Sequence, residues 1–280
     1  MKARGGLEGG IAQDHVAIAF SPSMETSDHR ARILDQFSRQ AVPFAEVPAH
    51  ADADAMAFLV RLSGAGPEDE VLDAGSGPGQ VACAIAPLVR SVIGTDLTPP
   101  MLAKASQLAR SRSIANASFQ PGDMEQLPFP DDQFSLVVTR YTFHHLLAPA
   151  KALAEMVRVC RPGGRVAIVD AALPPDKAAA YDALELVRDP SHVHVLGPDQ
   201  LLSLAERGGL VELQTALYRL PMVLAQTLAA SFPDPGGAER VRAMVEADVG
   251  VDRIGIQAWR EPDGAVHYRV PCAVIVGRKV

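Results

Sequence analysis

The chain has 280 residues, of which 48% are apolar and 21% charged, a balance that excludes wholesale disorder and leaves material for one sizeable core. A formal net charge of −7 and a pI of about 5.6 remove any sequence-wide attraction to nucleic acid or anionic lipid, so nucleic acid is not an expected substrate. Cys83, Cys160 and Cys272 lie far apart and form no C-x-x-C pair, so neither a disulfide framework nor a metal site is expected.

Residues 1–26 are expected to be a flexible, glycine-rich segment, without the apolar run of a signal peptide. No stretch approaches the roughly 20 consecutive apolar residues of a membrane span, and a cytoplasmic location is expected. Residues 27–280 are expected to form a single domain. Ser27 and Asp28 precede Ile33, Leu34, Phe37 and Ala41, a helix start followed by apolar residues at helical spacing. The basic residues of Asp28-His-Arg-Ala-Arg32 are expected to form a solvated face of that helix. A second helix is predicted over 51–62, stopped by Gly64-Ala-Gly-Pro67.

Strands and helices then alternate, with strands over 70–73, 91–95, 117–120, 134–139 and 165–170 and helices over 81–89, 100–112 and 149–160. Short apolar strands separated by helices imply an α/β fold with a doubly wound, mostly parallel sheet covered on both faces. Further on, helices are predicted over 176–187, 198–207, 220–230 and 238–247, with strands over 210–216 and 272–276. Pro262-Asp-Gly264 signals a chain reversal before the last strand. Residues 27–66, about 174–209 and 220–262 are the expected parts of a helical substrate cap over the sheet's carboxyl edge.

The chemistry is concentrated in Val71-Leu-Asp-Ala-Gly-Ser-Gly-Pro-Gly79, a strand running into a loop with glycine at every second position and then into a helix. Such a loop lets main chain approach a ligand closely, and free N–H groups at the helix start suit a phosphate or an amino-acid carboxylate. A nicotinamide dinucleotide and S-adenosylmethionine both fit at this point. The dinucleotide fingerprint wants glycine or alanine at position 80, which is Gln80; the third glycine comes one residue early, at Gly79. Asp96 ends the second strand where a carboxylate can accept from both ribose hydroxyls. Gly122-Asp-Met124 follows the third strand, where Asp123 can accept from an adenine amine.

With these residues the chain resembles the class I S-adenosylmethionine-dependent methyltransferases, and more narrowly their UbiE/COQ5-like group. The carrying segments are Leu72-Asp-Ala-Gly-Ser-Gly-Pro-Gly79, Gly94-Thr-Asp-Leu-Thr-Pro-Pro-Met-Leu102, Gly122-Asp-Met-Glu-Gln-Leu-Pro-Phe-Pro-Asp131, Phe143-His-His-Leu146 and Val159-Cys-Arg-Pro-Gly-Gly164. The likeness runs over roughly residues 32 to 217, in the family's order. It implies that Asp73 with Gly75, Gly77 and Gly79 holds the methionine part of S-adenosyl-L-methionine, Asp96 the ribose, and Asp123 with Met124 the adenine. Leu97 packs on the adenine in that scheme, and the main chain at Thr139 and Arg140 meets the methionine amine. The product is S-adenosyl-L-homocysteine and the acceptor a small, partly apolar metabolite, aromatic or quinone-like by the resemblance.

His144 and His145 follow the fourth strand, where the methyl group is expected to point, and are the candidate bases; Arg140, the third catalytic candidate, can hold an acidic or carbonyl group of the acceptor. A positioning role is favoured for both histidines, because a sulfonium-activated carbon asks little of a base. Tyr141, Arg188 and His192 are the candidate substrate contacts. Trp259 and Phe232 are read as core. A catalytically silent binding protein acting through partners and, less in keeping with Gln80, a nicotinamide oxidoreductase are the alternatives. No motif fixes the oligomeric state.

Overall fold

The computed structural model describes residues 26–46 and 53–280. The expected flexible segment lies almost wholly outside them. Helices α1 (Thr26–Glu46) and α2 (Ala53–Ser63) come first. The parallel part follows as β1 (Glu70–Ala74), α3 (Gln80–Ile85), β2 (Ser91–Asp96), α4 (Pro99–Ser111), β3 (Ala117–Pro121), β4 (Phe134–Arg140), α5 (Pro149–Val159) and β5 (Cys160–Ala171). Then come α6 (Pro175–Arg188), α7 (Pro198–Arg207), β6 (Leu210–Val223), α8 (Leu224–Ala229), α9 (Gly237–Asp248), β7 (Trp259–Arg260) and β8 (Val266–Lys279).

The sheet order is β3-β2-β1-β4-β5-β8-β6, with β7 on the free side of the first part of β8. The first five strands are parallel, whereas β8 runs antiparallel to both β5 and β6. Alternation along each strand fills two apolar layers. Val71, Leu136, Val138, Ala167 and Val169 face α2 and α3, while Leu72, Val137, Val166 and Ile168 face α5 and α7. Each of the larger of these side chains, fully buried, contributes roughly 1.5–3 kcal/mol.

The last third departs from the sequence expectation. Residues 220–223 continue β6 instead of starting a helix, because they pair with β8, Leu220 opposite Val270 and Met222 opposite Tyr268. The helix is confined to α8. The antiparallel ribbon of β6, β7 and β8 packs with α6, α8 and α9 around Tyr181, Leu184, Leu220, Met222, Val241, Val245 and Tyr268. The expected reversal at Pro262-Asp-Gly264 joins β7 to β8, with the Glu261 N–H bonded to the Ala265 carbonyl. The segment expected to form the cap is therefore part strand.

Helix α2, expected in the cap, instead sets Met56 and Leu59 into the apolar layer on the sheet's face. Helix α1 alone of the first two crosses the carboxyl edge, where Ile33 and Phe37 meet the ends of β1, β2 and β4. Its expected solvated basic face is partly occupied. His29 is buried and donates from Nε2 to the His145 carbonyl at 2.7 Å, and Arg30 pairs with Asp123. Among the described residues, no helix is long and apolar enough to cross a membrane.

Candidate active site

Two clefts meet at the carboxyl edge of the sheet, the position where open α/β sheets bind ligands. The first encloses about 940 Å³, part of it continuous with solvent, between the glycine loop, the ends of β2 and β4, and α1. Asp73, Gly75, Gly77, Asp96, Leu97, Asp123, Met124 and Arg140 all line it. The second, likewise partly continuous with solvent, spans about 760 Å³ beside α6 and α8. Phe37, Tyr141 and His145 belong to the walls of both.

The glycine loop is built for close approach at one position and for packing at another. Gly75 has φ +70°, and a Cβ there would lie 2.8 Å from Thr142 Oγ1 and 3.1 Å from Met124 Sδ. Gly77, at φ +50°, has nothing within 4 Å of the same position, so it faces the open cleft. Gly79 does not line the cleft. At φ +82° it lets α4 approach, since a Cβ would stand 2.8 Å from that of Ala105.

Asp73 is almost fully buried and its Oδ2 accepts the Ala82 N–H at 2.9 Å. Burial pushes its carboxyl up to about 7, and that single N–H bond only partly offsets the loss of water. Asp96 accepts the N–H groups of Gly77 at 2.9 Å and of Thr98 at 2.8 Å, and burial still leaves its pKa raised. Both carboxylates retain unused acceptor capacity. Asp123 pairs with Arg30 of α1 and accepts the Glu125 N–H at 2.9 Å. Met124 is buried against Thr139 Oγ1 at 3.9 Å, and the Thr139 side chain lies away from the cleft.

The paired histidines occupy different environments. His144 Nδ1 lies 2.5 Å from Asp170 Oδ1, while Asp170 Oδ2 accepts the N–H groups of Phe143 and His144 at 2.6 and 3.3 Å. Burial pulls the His144 pKa down, but the Asp170 carboxylate more than reverses this, so it stands above its ordinary value. His145 is held through Nδ1 by the Ser191 carbonyl at 3.1 Å and stacks edge-on with Phe37. Burial, then its neighbour His144, drives its pKa down to about 3, so it is neutral.

Arg140 lies over the Tyr141 ring, 4.4 Å from the centroid, and the Tyr141 hydroxyl lies 2.6 Å from that of Tyr218. The second cleft gathers Tyr141, His144, His145 and Arg188, but not His192. His192 is buried behind them, with Nε2 2.7 Å from Asp182 Oδ1 and its ring 5.7 Å from that of His144. Residues the sequence reading does not single out complete the wall: Tyr181, Glu185, Asp189 and Tyr268, with Asp170 behind His144. Glu185 and Arg188 are three residues apart on α6, a spacing that puts them on one helix face and was visible in the sequence. Cys272 also lines this cleft, and burial pushes its thiol up to about 12. Among the described residues, no three His, Cys, Asp or Glu side chains are grouped to hold a metal ion.

Residues 72–168 match the family model described as "Methyltransferase domain". The chain is 36% identical over 159 residues to YcgJ of Bacillus subtilis, named an uncharacterized methyltransferase, across 56% of this chain and 63% of that protein. The crystal structure of YcgJ superposes with a TM-score of 0.72 at 27% identity, over 81% of this chain and 98% of that one. YafE of Escherichia coli, named an uncharacterized protein, is 32% identical over 143 residues, half of this chain and 69% of YafE. The ubiquinone/menaquinone biosynthesis C-methyltransferase UbiE of Vibrio vulnificus is 32% identical over 143 residues, half of this chain and 53% of UbiE. The chain thus spans 53% to 69% of the length of these relatives. These likenesses support a class I S-adenosylmethionine-dependent methyltransferase domain over residues 72–168.

Proposed function

We propose that the protein transfers the methyl group of S-adenosylmethionine to a small, partly apolar acceptor seated in the second cleft. The observation that carries this reading is the shared wall of Phe37, Tyr141 and His145, through which a donor site in the first cleft adjoins an acceptor site in the second.

The residues of the first cleft fit the cofactor by their chemistry. Asp73 is a carboxylate that burial raises to about 7, a cost that an amino group placed beside it would relieve. Asp96 keeps acceptor capacity for ribose hydroxyls, and the cleft lies open above Gly77. Asp123 can accept from adenine only if Arg30 shares or yields its place. A dinucleotide fits less well, since the Ala82 N–H, in the first turn of α3, is already taken by Asp73. When bound, the cofactor supplies a methyl carbon activated by a sulfonium.

The protein's own residues then have three tasks. Phe37, Tyr141, Tyr181 and Tyr268 give the acceptor an aromatic seat, which suits a planar ring and supports the quinone-like reading. Asp170 fixes the His144 ring through Nδ1, which leaves Nε2 to take a proton from the acceptor and stabilises the imidazolium that forms. This geometry supports a base role for His144, beyond the positioning role expected from the sequence. Neutral His145 holds the wall between the clefts. An open second cleft also favours an enzyme over a silent binding protein, whose cap is expected to be filled.

A screen of ring-bearing acceptors with methyl-labelled S-adenosylmethionine tests the proposal. Acceptor-dependent release of S-adenosylhomocysteine is expected. Cofactor binding with no turnover on any acceptor, and a cap that engages another protein, would favour the silent-binder reading.

A further inference from the structure

The second cleft contains a buried arginine, the residue type best suited to hold a carboxylate or phosphate on a ligand. Arg188 is nonetheless already engaged. Its Nε lies 2.9 and 3.0 Å from the two carboxylate oxygens of Glu185, and its Nη2 lies 2.5 Å from Glu185 Oε2. Its Nη1 reaches Ser231 Oγ at 3.4 Å. The two side chains are only 18% and 10% exposed, so water does little to screen the pair.

A second carboxylate stands beside this pair. Asp189 lines the same cleft and is held by the Ser191 hydroxyl at 2.6 Å, the Ser191 N–H at 2.9 Å and Gln40 Nε2 at 3.0 Å. Burial alone would raise the Glu185 carboxyl, but Arg188 reverses this and keeps it ionised. The other group able to carry positive charge, His144, is matched by Asp170. An anion entering the cleft therefore finds each cation already neutralised and a surplus of carboxylate around it. Uncharged polar groups are still served. The Tyr181 hydroxyl lies in this wall and forms no hydrogen bond among the described residues.

We propose that Glu185 is a specificity-determining residue which, by occupying Arg188, restricts the acceptor cleft to uncharged hydroxylated ring compounds and turns away those that carry an anionic group. The inference rests on the reading that this cleft receives the methyl acceptor.

The test uses the full chain loaded with S-adenosylhomocysteine and titrated calorimetrically with para-hydroxyacetophenone and para-hydroxybenzoate, which share a ring and a phenol but differ in charge. The unaltered protein is expected to bind the ketone at least about tenfold more tightly than the carboxylate. E185Q keeps the shape of the side chain and frees the guanidinium, and it is expected to narrow or reverse that ratio through a gain in carboxylate binding that weakens with salt. Where E185Q does not fold, E185A removes the same charge and reports the same ratio. Equal or tighter binding of para-hydroxybenzoate by the unaltered protein overturns the proposal, as does an unchanged ratio in a folded Glu185 variant. Binding of S-adenosylhomocysteine with neither phenol bound overturns the acceptor class alone. Failure of S-adenosylhomocysteine to bind overturns the methyltransferase reading instead.

Discussion

His144 Nδ1 and Asp170 Oδ1 lie 2.5 Å apart across the ends of two neighbouring parallel strands, although 26 residues separate them in the chain. The carboxylate orients the ring and makes it a stronger base. A base works in its neutral form, so under the proposed role of His144 a pKa raised above the ordinary imidazole value places the limb of the kcat profile above about pH 6.5, with activity rising as pH rises through it. H144A is expected to lower kcat by roughly 10²–10⁴ and to remove that limb. D170N is expected to shift the limb to lower pH. A loss confined to KM for H144A, with the limb retained, would return His144 to a positioning role.

H145A should behave differently. The imidazole is neutral down to about pH 3, so it contributes no limb between pH 5 and 9, and its bond to the Ser191 carbonyl fixes the wall between the clefts. The expected result is a rise in KM for the acceptor with kcat changed less than about tenfold, because binding common to ground and transition states is lost. Steady-state kinetics of the two single variants side by side distinguish the roles.

Asp73, the proposed partner of the cofactor's amino group, also bears on stability. Its folded pKa, about 7, lies above the unfolded value of about 3.8, so the folded state binds the extra proton and stability falls as pH rises between those two values. The effect is at most about 4 kcal/mol at pH 8. Thermal melts of the cofactor-free protein should therefore show D73N gaining on the parent as pH rises from 4 to 8. The same variant should bind S-adenosylhomocysteine more weakly. A D73N melting curve that tracks the parent across this range would show that Asp73 is not strained by burial.

Asp96 and the loop glycines separate ligand contact from loop geometry. D96A is expected to weaken S-adenosylhomocysteine binding at least tenfold, since each charge-assisted hydrogen bond is worth about 1.5–3 kcal/mol. It also frees the N–H groups of Gly77 and Thr98, so a lower melting temperature should accompany the loss. G75A should cost more stability than G77A. At Gly75 the added carbon meets Thr142 and Met124, whereas at Gly77 only the left-handed backbone resists it, by roughly 1–2 kcal/mol. Melting temperatures of the two variants check the order.

Much of this was legible in the sequence because it is local. The strand-loop-helix at 70–85 carries its own glycine pattern, and the alternation of short apolar strands with helices gives the parallel half of the sheet. What was not legible depends on distant pairing. Leu220-Pro221-Met222-Val223 is an apolar run with no period to separate strand from helix, and only its pairing with Val270 and Tyr268 settles the matter. The partnership of His144 with Asp170 likewise depends on β4 and β5 lying side by side. His192 looked like a substrate contact because it follows a helix near the cap, but Asp182 turns its ring into the core. The pairing of Arg188 with Glu185 was written in their spacing, but that both face a cleft is a property of the packed cap.

The central claim, that the first cleft is a site for S-adenosylmethionine, is tested most directly by calorimetric titration of the purified protein with S-adenosylmethionine, S-adenosylhomocysteine and NAD. The account predicts binding of the first two in the micromolar range, about −8 kcal/mol, and none of NAD. Binding of NAD with no binding of either S-adenosyl compound would contradict it.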